Sequence, residues 1–555
     1  MASTMADARR RPRLLTTTVT ATAVGLALSG CAWSSPPEPA PTVAVTTGTF
    51  PNQDVVALYT DRESAVAAAL TALPGQIDDA LRRSKVPGLA VAVVSHDAVL
   101  YEGGFGVRDV STGVKVDTDT VFELASLSKP LSATIVAKAM TENPELSWST
   151  PVRTFMPDFA LDDPYVTQNA TIGDFFAHRT GIPTGGGDDL EDLGFDRDYI
   201  LDHLREIPLQ PFRSTYQYSN FGLTAGAQAV AASRSQTWEQ TAQELLFTPL
   251  GMTSTSMSHA DYLAADDRAV LHARIGDDDF QPLFDRDADA EAPAGGASST
   301  VGDLATWMQL LLSDGQRGGS AFIATGPLNE ALSAQIVSSH PGDLDQRPGH
   351  YGFGINVGSG AGGRVTLSHS GAFGLGAATA ATLVPDLDLG IVVLTNGAPV
   401  GLPEAVVQTF LDEVMYGHST RDWVDTMHGF FASYNAPSGD LAGMQAPADA
   451  AASGPVADYT GTYVSPYFGT LTVTSAGTGL RGSLGPKGET VFDITPWDGD
   501  TMAYVPTGEN ALPGSLSSVV FTRADGRVTS VTLTFLNRYA QIPTPSGLGV
   551  FTRSG

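Results

Sequence analysis

Two apolar hairpins stand at opposite ends of a long helical stretch, and they constrain the fold more than any other feature of the chain. The first runs through Gly88–Ser95 and Val99–Phe105 around a His96-Asp97-Ala98 turn; the second runs through Leu375–Leu383 and Leu389–Thr395 around Val384–Asp388. Short runs of β-branched and apolar residues bounded by turn residues read as strands. The chain between them, roughly 140 to 310, reads as helix and loop. Strands at both ends of a helical middle have to close into one antiparallel sheet late in the chain, which predicts an α+β architecture with flanking helices and a helical subdomain. A closing amphipathic helix is predicted over 402–416. An Ala/Pro/Gly/Ser-rich stretch follows over 436–456 and reads as a mobile linker. Beyond it, Tyr459–Val473, Ser517–Thr522 and Val528–Phe535 alternate with period two between Gly, Pro and Asp turns, predicting a small barrel-like all-β domain. Its tyrosines Tyr459, Tyr463 and Tyr467 are expected to pack inside.

The amino terminus carries Arg9, Arg10, Arg11 and Arg13, an uncharged stretch to Gly30, and then Leu28-Ser29-Gly30-Cys31. A basic segment, a short apolar segment and small residues make a secretory signal. The tetrapeptide resembles the lipobox of bacterial lipoproteins, in which the cysteine is lipidated. Cys31 is the single cysteine of 555 residues, so an intrachain disulfide is excluded. No later run supplies the roughly 18 consecutive apolar residues of a transmembrane helix, so the body is expected outside the cytoplasm, tethered to the membrane by its lipid anchor only. The formal net charge of −29 argues against nucleic acid or an anionic lipid surface as a partner. The acidic clusters Asp188–Asp192 and Asp277–Asp279 read as solvated faces.

Ser126 and Lys129 form the only S-x-x-K of the chain, which holds five lysines against twenty-six arginines. A serine hydroxyl needs a base to become a nucleophile; an unprotonated lysine amine can serve, whereas a guanidinium cannot. Residues three apart on a helix share a face, and Pro130 suits the first turn of a helix through Leu131–Met140. Ser126 then sits at a helix N-terminus, whose positive end disfavours a protonated Lys129 and points N–H groups at an oxyanion.

Tyr218-Ser219-Asn220 is the only Y-x-N, and His369-Ser370-Gly371 precedes the second hairpin. With this order of motifs the chain resembles the serine β-lactamase and penicillin-binding-protein superfamily, specifically its class C β-lactamase-like branch. The likeness covers roughly residues 60–415 and includes Val86–Val91, Thr180–Pro183, Pro249–Met252 and Pro293–Thr300. The β-domain resembles one often appended to such hydrolases. The resemblance implies that Ser126 is acylated, that Lys129 is its base partner, and that Tyr218 passes the proton to the leaving group. It implies that Asn220 holds a substrate amide, and that the N–H groups of Ser126 and Ala372 form the oxyanion hole. Gly371 would let the strand approach the substrate, and the hydroxyl of Ser370 could bind a carboxylate. His369 departs from the superfamily, which usually carries lysine there as K-T-G; this keeps the reaction type but weakens β-lactam turnover. No metal or cofactor is implied.

The resulting organisation is a signal over 1–30, a Pro-rich tether over 31–55, a β-lactamase-like serine hydrolase over 56–416, a helix and linker over 417–456 and a β-domain over 457–555. The expected activity is acyl-enzyme hydrolysis of a small amide or ester, such as a D-amino-acid-containing peptide. Two other readings stay open: a class C-like β-lactamase, and a catalytically silent cell-surface protein that binds peptidoglycan. The oligomeric state is left open. If Cys31 is the anchor, Cys31→Ser moves the active protein from the membrane fraction to the soluble one; membrane association that survives the substitution and high salt contradicts the assignment.

Overall fold

Strand β1 (Gly88–Val94) is buried along its whole length, and its alternate residues enter two different cores. Leu89, Val91 and Val93 join Ile391 and Val393 beneath α1 (Arg62–Ser84), while Ala90, Ala92 and Val94 join Val392 and Leu394 on the opposite face. A sheet covered on both faces accounts for uninterrupted apolar strands where a half-exposed sheet would alternate. In this computed structural model the described residues are 61–554 apart from 277, 361–362, 433, 478, 510 and 540–541. The signal, tether and Cys31 expected from the sequence lie outside the described residues.

The sheet continues with β2 (Val99–Gly106), β3 (Ile336–Ser339), β4 (Gly349–Tyr351), β5 (Asn356–Ser359), β6 (Val365–Phe373), β7 (Ala377–Val384) and β8 (Leu389–Thr395). The order is β2-β1-β8-β7-β6-β5-β4-β3, and every pairing is antiparallel. The amino-terminal hairpin docks on the last strand, with Leu89 opposite Thr395 and Val94 opposite Gly390. The late closure expected from the two hairpins is therefore present. Strands β3 to β6 escape the sequence pattern because Gly, Ser and His interrupt their alternation.

Helix α2 (Ser128–Glu142) runs through the middle of the body and is buried on nearly all sides. Helix α3 (Asn220–Ser233) starts at the Y-x-N motif, with Ser219 Oγ capping it by accepting from the Gly222 N–H at 3.0 Å. Helix α4 (Val301–Leu312) covers β1 and β8, and α5 (Leu402–Tyr416) closes the body against α1.

The carboxy-terminal domain is a closed eight-stranded barrel of Gly461–Ser465, Gly469–Ala476, Gly479–Leu484, Thr490–Asp498, Thr501–Tyr504, Ser517–Ala524, Arg527–Leu533 and Val550–Ser554. Closure leaves no sheet edge unpaired. Tyr459, Tyr463 and Tyr467 are buried at 0%, 0% and 3% exposure, which is the packing role expected of them.

Two expectations are corrected here. The 436–456 stretch is held against the barrel: Leu441 N–H donates to Leu516 O (3.1 Å), Ala451 N–H donates to Asp498 Oδ1 (2.8 Å), and Asp440 accepts from the hydroxyls of Ser517 and Ser518 (both 2.6 Å). Small polar residues that look like a tether by composition here have their hydrogen bonds satisfied by barrel strands. The Asp188–Asp192 cluster is a short helix wedged between body and barrel rather than a solvated face. Arg538 of the barrel reaches Asp189 Oδ1 (3.2 Å), Arg286 reaches Glu191 Oε2 (2.5 Å), and the Glu509 N–H donates to Asp192 Oδ1 (3.0 Å). Counter-charges distant in sequence make the burial tolerable, and no local pattern announces them. Asp278 and Asp279 are exposed as expected.

Burial pushes the Asp189 carboxyl up and Arg538 pulls it down. Arg538→Ala removes that partner and is expected to cost about 3 kcal/mol of stability, read from chemical denaturation. An unchanged midpoint would show that the contact does not hold the barrel to the body.

Candidate active site

Ser126 lies in a single 3-10 turn, Ala125–Leu127, immediately before α2. The turn is held in an unusual conformation: Ala125 has φ of 47°, a region that residues with a side chain seldom adopt. Three contacts enforce it. Thr379 Oγ1 on β7 donates to Leu124 O (2.8 Å), Ser128 Oγ donates to Ala125 O (2.7 Å), and the Ala297 N–H donates to Ser128 Oγ (2.9 Å). The second serine of the motif is thus a pin for the turn. Gly371 packs directly on the turn, because a Cβ there would come within 2.1 Å of Leu124 O and 2.9 Å of Ser126 N. Its lack of a side chain is required by the serine's own backbone, a tighter constraint than the substrate approach expected of it.

Lys129 is completely buried, one helical turn from Ser126. Its Nζ has three partners: Ser126 Oγ at 2.9 Å, Asn220 Oδ1 at 2.7 Å and Ala294 O at 3.0 Å. Burial lowers it from 10.5 to about 8, against the opposing pull of Glu291, Asp188 and Glu191. Two of the three partners are carbonyl oxygens, which only accept. A neutral amine therefore has its two protons committed to Asn220 and Ala294, and its lone pair faces the Ser126 hydroxyl. Asn220 orients the lysine as directly as it faces the cleft, and its Nδ2 lies 3.4 Å from Asp188 Oδ1.

The Tyr218 ring lies 4.5 Å from Lys129 Nζ, and its hydroxyl neighbours Ser126 at the cavity wall. Burial pushes the Tyr218 phenol well above its ordinary value. At neutral pH Tyr218 is a proton donor, and Lys129 is the group beside Ser126 able to accept a proton.

His369 requires a correction. Strand alternation places it on the buried face of β6 with Gly371 and Phe373, and Ser370 on the other. Its Nδ1–H donates to Ser370 O (2.7 Å), and its Nε2 faces the Tyr351 hydroxyl at 2.9 Å. Both ring nitrogens are thus engaged by the protein rather than by the cleft, and burial pulls the histidine down to about 3. It neither stands in for a substrate-facing lysine nor carries charge. The position was legible; its surroundings, from β4, were not.

Ser370, Gly371 and Ala372 line a cavity of about 330 Å³ together with Ser126, Tyr218 and Asn220. The same cavity holds groups that sequence reasoning missed: Arg286, Glu291, Glu404, Phe431, Tyr434 and, from the barrel, Glu509. Glu509 Oε1 accepts from the Gly374 N–H at the end of β6, and its Oε2 lies 3.7 Å from Arg286 Nε. The Ser370 hydroxyl meets the Glu404 carboxyl, which burial pushes up to about 7. Only the 188–192 cluster gave a sequence signal for this acidic wall. Among the described residues no group of His, Cys, Asp and Glu is arranged to hold a metal ion.

The beta-lactamase family model matches residues 66–413. The chain belongs to that family, within the serine β-lactamase and penicillin-binding-protein superfamily of hydrolases. A second model, described as a domain of unknown function (DUF3471), matches residues 445–543. Penicillin-binding protein 4 of Amycolatopsis lactamdurans is 31% identical over 276 residues, 48% of this chain and 69% of that protein. The unguisins hydrolase ungD of Aspergillus violaceofuscus is 26% identical over 344 residues, 58% of this chain and 60% of that protein. The chain thus spans about three fifths of the fungal relative. An octameric penicillin-binding protein homologue from Pyrococcus abyssi shares the fold, with a TM-score of 0.54 and 17% identity over 84% of this chain and 98% of that one.

Because His369 stays neutral, the profile of kcat/KM against pH should contain no limb from it. His369→Gln, which keeps an acceptor for Tyr351, should leave the shape of that profile unchanged from the ordinary histidine range upward. A limb near pH 6.5 that vanishes in the variant would contradict the buried, neutral assignment.

Proposed function

We propose that the protein is an extracytoplasmic, lipid-anchored serine hydrolase that acts on a small amide or ester through an acyl-enzyme on Ser126. The observation that carries this reading is the Lys129 amine, buried, lowered to about 8 and in contact with Ser126 Oγ at 2.9 Å. At pH 7 about a tenth of such an amine is neutral, against a negligible fraction for an ordinary lysine.

Neutral Lys129 takes the Ser126 proton as Oγ attacks the carbonyl carbon. The oxyanion is received by the N–H groups of Ser126 and Ala372, set where the strained turn meets β6. Tyr218, a phenol in contact with Ser126, gives its proton to the departing nitrogen or oxygen and regains one from Lys129. Water then attacks the ester along the reverse proton path, releasing the acid and restoring Ser126. A D-amino-acid-containing peptide of the cell envelope fits an enzyme anchored outside the cytoplasm, and the relatives named as hydrolase, esterase and penicillin-binding protein support the class. Turnover of β-lactams is the second reading. It is disfavoured by the neutral, inward His369, which supplies no cation for the carboxylate of such a substrate.

Ser126→Ala is expected to lower kcat/KM by about a thousandfold or more, and Lys129→Arg should be nearly as damaging as Lys129→Ala because a guanidinium accepts no proton. In the wild type, kcat/KM should rise with pH and level off above about 8, where Lys129 is neutral. An active Lys129→Arg enzyme, or a profile flat across that range, would show that Lys129 is not the base.

A further inference from the structure

The wall of the cleft opposite β6 holds more carboxyl groups than its cations can match. Arg286 is shared among Glu191 Oε2 (2.5 Å), Glu291 Oε1 (3.2 Å) and Glu509 Oε2 (3.7 Å). One guanidinium faces three carboxyl groups; Glu191 Oε1 and Glu291 Oε2 make no hydrogen bond, and neither do Arg286 Nε and Glu509 Oε2, which lie 3.7 Å apart. The Glu191 and Glu291 side chains are only 5% and 4% exposed and line the cavity beside Ser126. An unpartnered buried carboxylate oxygen is costly unless something supplies a donor. A donor carried by a substrate into the cavity that both residues line would be such a supply.

A second feature, on a different element, has the same sign. The resemblance to the superfamily places a carboxylate-binding pair at His369 and Ser370. Here the histidine is turned inward against Tyr351, and the serine hydroxyl meets Glu404. Glu404 Oε2 is also buried without a partner, and Glu404 lines the same cavity. At this position the site therefore offers no cation to an anionic substrate and presents a carboxyl group in its place, while Arg286 on the opposite wall is paired with carboxyl groups. Lys129 offers nothing to an anion either, because its three protons are committed to Ser126, Asn220 and Ala294.

We infer that this cleft selects acyl compounds bearing a protonated amine, received by the free oxygens of Glu291 and Glu191, and rejects compounds bearing a carboxylate. The inference rests on the acyl-enzyme reading above and adds the charge of the substrate to it. An ammonium carries three donors and suits two carboxyl oxygens that lack them, while an entering carboxylate meets acceptor-rich carboxyl groups on both walls. Binding would also shift the proton balance of the site. A cation beside Glu291 and Glu191 offsets the field with which those groups hold a proton on Lys129, so the preferred substrate favours the neutral amine that the reaction uses.

The test is competition with a neutral fluorophosphonate that labels Ser126, followed by intact mass at neutral pH, using three amides of similar size: β-alaninamide, butyramide and succinamate. The inference expects β-alaninamide to protect Ser126 at a concentration about tenfold or more below butyramide, and succinamate to protect least. Glu291→Gln should shrink the advantage of β-alaninamide over butyramide; if that variant does not fold, Glu191→Gln alters the other receiving group and gives the same comparison. Normal labelling with equal protection by all three, no protection by β-alaninamide, or best protection by succinamate would overturn the inference and leave the acyl-enzyme reading standing. Failure of Ser126 to be labelled at all would bring down both.

Discussion

A lysine amine buried in the first turn of a central helix is the interaction on which the rest of this site depends. Removing a lysine from water disfavours its charged form, and for Lys129 the shift to about 8 corresponds to roughly 3 kcal/mol against the ammonium. The unfolded chain holds that proton up to the ordinary lysine value, so the cost to the fold is constant below about pH 8 and fades as pH rises above it. The fold offsets this cost locally with three acceptors at 2.7 to 3.0 Å. The same three contacts orient the amine, so the device that makes burial tolerable also aims the lone pair at Ser126. The strained Ala125 backbone, the Ser128 pin and the bare Cα of Gly371 serve the other partner, holding the serine where that lone pair points.

The barrel is part of this arrangement. Its Glu509 reaches between Gly374 and Arg286, and its Arg538 neutralises Asp189 behind the acidic helix. The segment from α5 to the barrel contributes Phe431 and Tyr434 to the cavity. The walls that meet the substrate therefore come from five stretches of chain, while the reacting groups come from two helix starts and one strand. Chemistry is held by the local geometry of a helix turn; selectivity is held by contacts between units far apart in sequence.

What could be read in advance follows the same division. Ser126 with Lys129 and Tyr218 with Asn220 are legible because each pair is local, set by helical spacing or by a helix cap, and both hairpins are legible because their apolar runs are uninterrupted. His369 was placed correctly along the chain and wrongly in space, since strand alternation turned it toward Tyr351, a neighbour supplied by another strand. The 436–456 stretch was misread because composition cannot tell a free tether from one whose small polar groups are satisfied by a barrel. Asp188–Asp192 was misread for a related reason: its counter-ions, Arg286 and Arg538, are remote in sequence. Arg286, Glu404 and Glu509 carry no local signature at all.

The depressed Lys129 is the central claim, and the chain is well suited to a direct reading of it. With only five lysines in 555 residues, protein labelled with carbon-13 at the lysine side-chain terminus gives few resonances, and Lys129→Arg assigns the one that matters. Following their chemical shifts from neutral to alkaline pH should show one resonance titrating near 8 and the others in the ordinary lysine range. If the resonance lost in Lys129→Arg titrates with the rest, Lys129 is an ordinary ammonium at neutral pH and the account of Ser126 activation is wrong.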